Sequence, residues 1–403
     1  MIFVGIDWAE AHHDICVLDG QGAVLATGRV PDSMEGLARL HAMVAEHAEE
    51  PAEVLVGIET DRGLLVRGLV AAGYRVYAVN PFAVSRYRDR HATSGAKSDP
   101  GDAKVLADLV RTDRHNHREV AGDSELAEAV KVLARAHQSL IWTRQRQVNA
   151  LRSTLREFYP AALRALPELG TVEACSILGM APTPERGRGL TQARVRRSLA
   201  ASGRSRNLDR RAAEIHEALQ GSELEAAPAV AEAFGAVVGS LVVVIDGLVH
   251  QIARLESELA QRFERHPDAE ILRSLPGLGL VLGARVLAEF GDDPTRYVDA
   301  RARRCYAGSA PITRASGKRL VVLARVARNR RLADACYLWA FSSLSSSPGA
   351  RRYYDTRRAA GKTHHQALRA VANRLVGILH GCLGHRQLYR EDIAWPTPLD
   401  AAA

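Results

Sequence analysis

Two aspartates stand three residues apart in the segment KSDPGDA, at Asp99 and Asp102, directly before an apolar run. Asp is favoured at a helix N-cap and Pro at the first helical position, so the segment predicts a helix capped by Asp99 and continued by Pro100. Carboxylates are also the ligands that Mg²⁺ prefers. Taken alone, the pair favours the capping interpretation, and a metal site needs further carboxylates from elsewhere in the chain.

Two more acidic residues follow apolar strands. Asp7 ends the run IFVGI, and Glu59 ends the run VLVGI. If the first strand is central and the fourth lies beside it, both carboxylates meet at one edge of the sheet, where Asp99 and Asp102 can share one helix face. Alternatively, each is an ordinary polar residue at a strand end. Four such carboxylates suit two Mg²⁺ ions roughly 3.5–4 Å apart, an arrangement that promotes phosphodiester cleavage.

The elements around these residues predict an α/β domain. Apolar runs predict strands at 2–7, 14–20, 24–30, 53–59 and 75–80, with helices at 34–48 and through 64–70 between them. Three strands, a helix, a strand, a helix, a strand and then helices is the order of a ribonuclease H-like domain. The fold class is therefore multidomain, α/β at the N-terminus and α beyond it.

Two long helical patterns dominate the middle of the chain, at 125–159 and 230–263. Their near-heptad spacing predicts a coiled-coil pair, within one chain or between chains, with a two-helix core element as the alternative. The Arg-rich insertion between them, at about 165–225, either touches nucleic acid or is a solvated surface. A Leu-Pro-Gly-Leu-Gly turn near 275 resembles a helix-hairpin-helix that faces a phosphate, or it is plain packing. Segments 306–344 and 351–379 are predicted to be largely helical.

Composition restricts the class of protein. The chain has 403 residues and a formal charge of +8, which predicts two or three domains and a polyanionic partner. Five dispersed cysteines without C-x-x-C spacing argue against disulfides and a zinc module, and they favour a reducing cytosol. The longest apolar run, broken by Asp246, is too short to span a bilayer. We therefore expect a cytoplasmic protein without a membrane partner.

The motifs GIDWAEAHHDICVLD, GIE, KSDPGDA and YAGSAPITRASGK occur in order along the chain. Through them the sequence resembles the IS110-family (IS110/IS116/IS902-type) DEDD transposases of bacterial insertion sequences, from the N-terminus to about Leu383. The resemblance implies a RuvC-like DEDD catalytic domain at 1–120 and a coiled-coil connector at 121–268. It also implies a mostly helical C-terminal transposase domain at 269–385 with a helix-hairpin-helix-like start. A tail follows at 386–403, and its segment EDIAWPTPLDAAA, residues 391–403, is expected to be disordered.

The resemblance also implies roles for residues. The catalytic tetrad that holds the magnesium ions, for which Mn²⁺ can substitute, would be Asp7, Glu59, Asp99 and Asp102. A serine of the Ser-Gly motif, Ser316, would attack a DNA phosphate and form a covalent phosphoserine.

Apart from the resemblance, the Ser316-Gly317 pair is typical of a turn. Its surroundings make a nucleophile plausible, because Arg314, Lys318 and Arg319 could hold a phosphate, and Ser309 is the nearest competitor.

The implied partners are the element ends, the target DNA and a guide RNA transcribed from the element. The active protein is expected to be a dimer or tetramer whose protomers share a catalytic centre. The family's usual Lys-x-Gly-Asn turn is replaced here by the sequence at 326–329, which keeps the Asn but not the Gly. The residues assigned to nucleic-acid contacts are Lys97, Lys104, Arg314, Lys318, Arg319, Arg325, Arg328 and Asn329.

Two other functions remain open from the residues. A RuvC-type, structure-selective DNA endonuclease would need only the tetrad and would use water as its nucleophile. An inactive DNA-binding relic would need neither the tetrad nor the serine.

Overall fold

A computed structural model describes residues 1–91, 98–120, 122–221, 224, 226–317, 319–326 and 328–396. The chain divides into two compact units, Met1–Gly122 and Asp123–Ala403. Each unit has its own apolar core.

The first unit has the predicted order of three strands, a helix, a strand, a helix, a strand and then helices, followed by a short sixth strand that was not predicted. Its elements are β1 (Ile2–Trp8), β2 (His12–Leu18), β3 (Val24–Pro31), α1 (Met34–Ala45), β4 (Val54–Ile58), α2 (Leu64–Ala71), β5 (Arg75–Ala78), α3 (Pro81–His91), α4 (Asp99–Asp113) and β6 (Arg118–Glu119).

These strands form one sheet in the order β3-β2-β1-β4-β5-β6. Strands β1, β4 and β5 are parallel, and β2 pairs antiparallel with β1. The predicted neighbourhood of the first and fourth strands is confirmed, in a register that runs from Ile2 opposite Val54 to Ile6 opposite Ile58. Helices α1 and α2 cover one face, and α3 and α4 cover the other. The central strands β1 and β4 are therefore buried on both faces, which explains their nearly continuous apolar sequence, whereas β3 at the edge is mostly exposed.

The second unit is almost entirely helical. Its elements are α5 (Glu125–Phe158), α6 (Pro160–Ala165), α7 (Val172–Met180), α8 (Pro184–Arg188), α9 (Gln192–Ala201), α10 (Leu208–Leu219), α11 (Pro228–Glu264), α12 (Ala269–Ser274), α13 (Leu280–Phe290), α14 (Ala300–Ala307), β7 (Ile312–Ser316), β8 (Arg319–Leu323), α15 (Arg330–Ser346), α16 (Pro348–Ala359), α17 (His364–Gly384) and α18 (Glu391–Ala394).

The two long helices α5 and α11 pack against each other in opposite directions. The start of α5 and the end of α11 share one apolar cluster with α12–α17, and the end of α5 and the start of α11 share another with α6–α10. By length and composition α11 is apolar enough to cross a membrane, with a window of mean hydropathy 2.0 that is 22% buried. Asp246 lies inside α11 and does not end it. A core helix of a soluble protein meets the same criteria of length and composition, so this one helix is weak evidence for a membrane span.

The turn between α12 and α13 is a packing element. A Cβ on Gly277, which has φ +80°, would lie 2.6 Å from the backbone nitrogen of Ser343 on α15. The indole nitrogen of Trp339 donates to the carbonyl of Pro276 at 2.9 Å. Of the two interpretations of this hairpin, packing is the one that the contacts support.

Two sequence-based expectations for the second unit are wrong. Residues 312–316 and 319–323, predicted to be helical, are two strands paired antiparallel, with β-branched residues in both strands and Gly317, which has φ +54°, directly after the first. The tail is ordered through 396, because Trp395 is 5% exposed and packs over Gly349. Glu391 reinforces this contact by accepting from the backbone nitrogen of Gly349 at 2.7 Å.

Candidate active site

Two glycines determine how closely α4 approaches the sheet. A Cβ on Gly5 of β1 would lie 1.8 Å from the carbonyl oxygen of Ala103, and a Cβ on Gly57 of β4 would lie 2.6 Å from that of Leu106. Both glycines are paired across the parallel strands. Only hydrogen at these two positions lets the backbone of α4 lie directly on β1 and β4.

The positions of these glycines indicate on which face of the sheet the strand-end carboxylates lie. Asp7 and Glu59 each come two residues after a glycine, in the repeated pattern Gly-Ile-acid. Because side chains alternate along a strand, both are expected on the face that α4 covers. Asp7 is half-buried and Glu59, directly after β4, is exposed. The sequence-based expectation that these two carboxylates share one edge agrees with this geometry.

The start of α4 brings in the other two carboxylates. Ser98, and not Asp99, is the N-cap, and its hydroxyl accepts from the backbone nitrogen of Gly101 at 3.3 Å. Asp99 and Asp102 both lie in the first turn, where the positive end of the helix favours negative charge. The predicted cap was one residue out, because Ser and Asp are equally good caps and Ser98 stands directly before Asp99.

The other three predicted carboxylates are close enough to Asp7 for their charges to raise its pKa. Burial, followed by the charges of Asp102, Asp99, Glu59 and Asp14, raises the pKa of Asp7 from 3.8 to about 6. Several carboxylates that repel each other in a partly buried place favour either a proton or a bound cation.

Asp14 is a further carboxylate at this site that was not predicted from the sequence. It lies opposite Asp7 in the β1–β2 pair and is 5% exposed. Asp14 could have been predicted, because a short turn joins β1 and β2. Such a turn pairs Asp7 with Asp14 and puts both side chains on the same face of the sheet. Ligand atoms of His12, Asp14 and Asp99 lie within 4.8 Å of one another, a spacing that could hold a metal ion.

Two arginines neutralise part of this charge. Arg29 on β3 donates to both carboxylate oxygens of Asp14, at 3.1 and 2.7 Å, and reaches Asp99 at 3.4 Å. Arg88 on α3 forms an ion pair with Asp102 at 2.9 Å. Both contacts join distant parts of the chain, and sequence spacing gives no sign of them. The carboxylates still outnumber these two arginines, and hard carboxylate oxygens are ligands that suit Mg²⁺ or Mn²⁺ better than a thiophilic metal.

Ser316 lies at the end of the β7–β8 hairpin in the second unit and is exposed. The hairpin register places Ser316 opposite Arg319 and Arg314 opposite Val321, so Ser316 and both arginines share one face. The hydroxyl of Ser309, by contrast, donates to the carbonyl of Arg304 at 3.2 Å and to Asn373 at 3.3 Å.

Two of the residues after the hairpin that were assigned to nucleic-acid contacts, Arg325 and Asn329, have side-chain contacts within the second unit. The amide of Asn329 caps α15 and also donates to Glu289 at 2.6 Å. A guanidinium nitrogen of Arg325 lies 3.7 Å from the sulfur of Cys305, while Arg328 is exposed.

Three lysines were also assigned to nucleic-acid contacts from the sequence, and of these Lys104 is exposed on α4. Lys97 and Lys318, also assigned to nucleic-acid contacts from sequence, lie outside the described residues.

Known protein families match both units. Residues 4–160 match a DEDD-type transposase model of the IS110 group, and residues 269–355 match the model described as the transposase IS116/IS110/IS902 family.

Similar proteins extend over the whole chain. A mini-circle putative transposase for IS117 from Streptomyces coelicolor is 46% identical over 100% of this chain and 98% of that protein. An uncharacterized 42 kDa protein of insertion element IS900 from Mycobacterium paratuberculosis is 31% identical over 100% of this chain and 99% of its own length. An uncharacterized 44.8 kDa protein of insertion element IS116 from Streptomyces clavuligerus is 31% identical over 96% of each chain.

Proposed function

Because the chain belongs to the IS110 family of transposases, we propose that it cuts and rejoins insertion-sequence ends and target DNA through a covalent phosphoserine. The reaction would depend on Mg²⁺ and be guided by an RNA from the element. The observation that carries the proposal is the set of carboxylates that α4 and the glycine-bearing strands bring onto one face of the sheet.

The first unit acts as a RuvC-like catalytic domain in this proposal. Its strand order, with parallel β1 and β4 at the centre and β2 and β3 antiparallel on one side, supports that assignment. The domain limits from sequence, 1–120, 121–268 and 269–385, remain part of the proposal, as does the coiled-coil nature of the connector.

The tetrad of Asp7, Glu59, Asp99 and Asp102 would hold the metal ions. The raised pKa of Asp7 supports a cation there, because a positive charge among these carboxylates removes the repulsion that protonation otherwise relieves. When bound, magnesium offsets the charge that develops on phosphate oxygens during strand cleavage.

The arginines around the tetrad have a positioning role. Arg88 holds Asp102, and Arg29 holds the neighbouring Asp14 and reaches Asp99. These contacts restrain the carboxylates before a metal ion binds, so less side-chain freedom is lost on binding.

Ser316 would be the nucleophile. Its oxygen forms a bond to a DNA phosphorus while the bond from that phosphorus to one neighbouring sugar oxygen breaks. The serine proton passes to solvent, and the released strand end takes up a proton as a hydroxyl. Ser316 is exposed beside Arg314 and Arg319, which can bind the phosphate, whereas Ser309 is engaged within the fold.

The remaining assignments are also proposals. Arg314, Arg319, Arg325, Arg328 and Lys104 contact nucleic acid. The contacts of Asn329 indicate that it acts mainly by holding the start of α15. The protein acts in the cytoplasm as a dimer or tetramer.

The test is a covalent-adduct assay. Full-length protein is incubated with element-end DNA, the guide RNA and Mg²⁺, and a protease-sensitive protein–DNA link is sought on a denaturing gel. Wild type and Ser309→Ala should form the link, and Ser316→Ala should not. An equal adduct from Ser316→Ala would exclude Ser316 as the nucleophile. Cleavage without any adduct would support the endonuclease, and neither cleavage nor adduct with any of the proteins would support the inactive relic.

A further inference from the structure

The helix-turn-helix formed by α16 and α17 carries an unusual concentration of positive charge. Between residues 351 and 365 stand five cations and one carboxylate, and that carboxylate, Asp355, forms an ion pair with Arg351 at 2.9 Å. All five cations are exposed, and four of them have no carboxylate partner among the residues that the structure describes. The cations are Arg351, Arg352, Arg357, Arg358 and Lys362.

Five aromatic rings gather beside these cations at the N-terminus of α17. The hydroxyl of Tyr354 lies 2.7 Å from Nδ1 of His364, and that of Tyr337 lies 3.0 Å from Nδ1 of His365. The ring of Phe341 meets that of His364 edge-on, with centroids 6.4 Å apart. The cluster therefore joins helices α15, α16 and α17. We refer to the five cations and these five rings as the α16–α17 surface.

Phe341 distinguishes this surface from ordinary packing. Its side chain is 57% exposed, although the rings next to it are held by hydrogen bonds and edge contacts. Covering an exposed Phe ring with a flat apolar partner removes apolar surface from water and is favourable. Leu338, one helical turn away, is also 37% exposed and widens the apolar area.

The charge and the exposed ring together indicate the kind of partner. Clustered Arg and Lys attract a phosphate backbone, and an adjacent exposed aromatic ring stacks on a base. A duplex offers phosphates but keeps its base faces covered, whereas an unpaired strand offers both. The positive end of the 21-residue helix α17 adds to the attraction.

We infer that the α16–α17 surface binds an unpaired segment of nucleic acid, with phosphates on the α16 cations and a base against Phe341. The inference rests on the proposed function, in which the protein cuts and rejoins DNA strands and binds a guide RNA. DNA and RNA share the recognised chemistry, namely a phosphodiester backbone and an uncovered base.

The test measures binding by full-length protein in EDTA, where no strand is cut. Fluorescence anisotropy is recorded with labelled oligo(dT), oligo(rU) and a mixed-sequence duplex of about 20 nucleotides or base pairs. The charge variant is Arg352→Ala/Arg357→Ala/Lys362→Ala. The matched control, Arg254→Ala/Arg262→Ala/Arg265→Ala, removes three exposed arginines from the C-terminal end of α11 in the same unit.

The charge variant should lower the affinity for single strands about tenfold or more, and it should reduce the salt dependence of log K by about two. The control variant should change the affinity for single strands and the salt dependence of log K by less than half of these amounts. Equal losses in both triple variants would overturn the inference, since general charge would then explain binding. A loss confined to oligo(dT) would assign the surface to DNA, and a loss confined to oligo(rU) would assign it to RNA.

Substitution of the ring tests the stacking part. Phe341→Ala should weaken single-strand binding about fivefold to a hundredfold, leave duplex binding unchanged, and be rescued by Phe341→Trp. Unchanged single-strand binding, or an equal loss for the duplex, would contradict the inference. Because Phe341 is mostly exposed, the variant should melt like wild type, and circular dichroism checks this.

The adduct assay separates this inference from the proposed function. If wild type forms the protein–DNA link while the charge and ring variants bind single strands like wild type, the surface is wrong and the function stands. If the variants lose single-strand binding as expected but no protein forms the link, the proposed function fails and the surface stands.

Discussion

Replacement of Asp7 by Asn should stabilise the metal-free protein. Asp7 is surrounded by like charges in the folded state, which together with burial raises its pKa from 3.8 to about 6. Asn removes the charge and keeps the size of the side chain. The stabilisation should appear in the first unit, where β1 pairs with both β2 and β4.

The size of the effect follows from the pKa. The difference between 3.8 and about 6 corresponds to about 3 kcal/mol if none of the repulsion is screened. Because Asp7 is only half-buried and water screens its neighbours, we expect about 1 kcal/mol.

The pH dependence has a defined sign. A carboxyl whose folded pKa is raised is protonated in both states below its ordinary pKa of 3.8, so wild type and Asp7→Asn should then be equally stable. As the pH rises from 3.8 to about 6, the unfolded state loses its proton first and wild type becomes relatively less stable. Above about pH 6 the full difference should be present.

The assay is hydrogen–deuterium exchange of β1 and β2 peptides in EDTA, which reports local stability within the full chain. The control is Asp61→Asn, at an exposed acidic residue just after the same sheet edge. Magnesium should then slow exchange in wild type but not in Asp7→Asn. Faster exchange in Asp7→Asn at neutral pH, or an equal difference at pH 4 and pH 7, would refute the electrostatic argument.

Three further substitutions test the supporting structure. Gly5→Ala should destabilise the first unit by about 3 kcal/mol and abolish adduct formation, because the added Cβ would collide with α4. The control is Gly20→Ala, at a position where a Cβ meets no other atom, and it should change neither the melting temperature nor the amount of adduct. Arg88→Gln should lower the stability of metal-free protein by about 1–2 kcal/mol through loss of its ion pair with Asp102, and added Mg²⁺ should reduce that loss. Asn329→Ala should cost about 2 kcal/mol in urea unfolding, since it removes a helix cap and a buried hydrogen bond, and an unchanged midpoint would contradict this role.

The sheet could be predicted from sequence because its strands are apolar, short and separated by clear turns. The apolar runs before Asp7 and Glu59 predicted both strand ends to within one residue, since β1 ends at Trp8 and β4 ends at Ile58. The N-cap at Ser98 was missed by one residue, because two equally good capping residues adjoin.

The remaining features depend on contacts that sequence spacing does not reveal. Arg29 and Arg88 reach the carboxylates from β3 and α3, at separations in the chain that carry no periodic signal. The β7–β8 hairpin, in which the chain turns after Ser316, was predicted to be helical because its two short strands lie between helical segments. The tail was predicted to be disordered because sequence spacing does not show that one residue, Trp395, is buried against Gly349 and holds the segment.

Metal binding by single-carboxylate variants tests the central claim most directly. Manganese binding is measured by electron paramagnetic resonance for wild type, for Asp7→Asn, Glu59→Gln, Asp99→Asn and Asp102→Asn, and for the control Asp61→Asn. If the four carboxylates form one metal centre, each of the four variants should bind Mn²⁺ about tenfold more weakly or worse, and the control should bind like wild type. Wild-type affinity in all four variants would contradict the account.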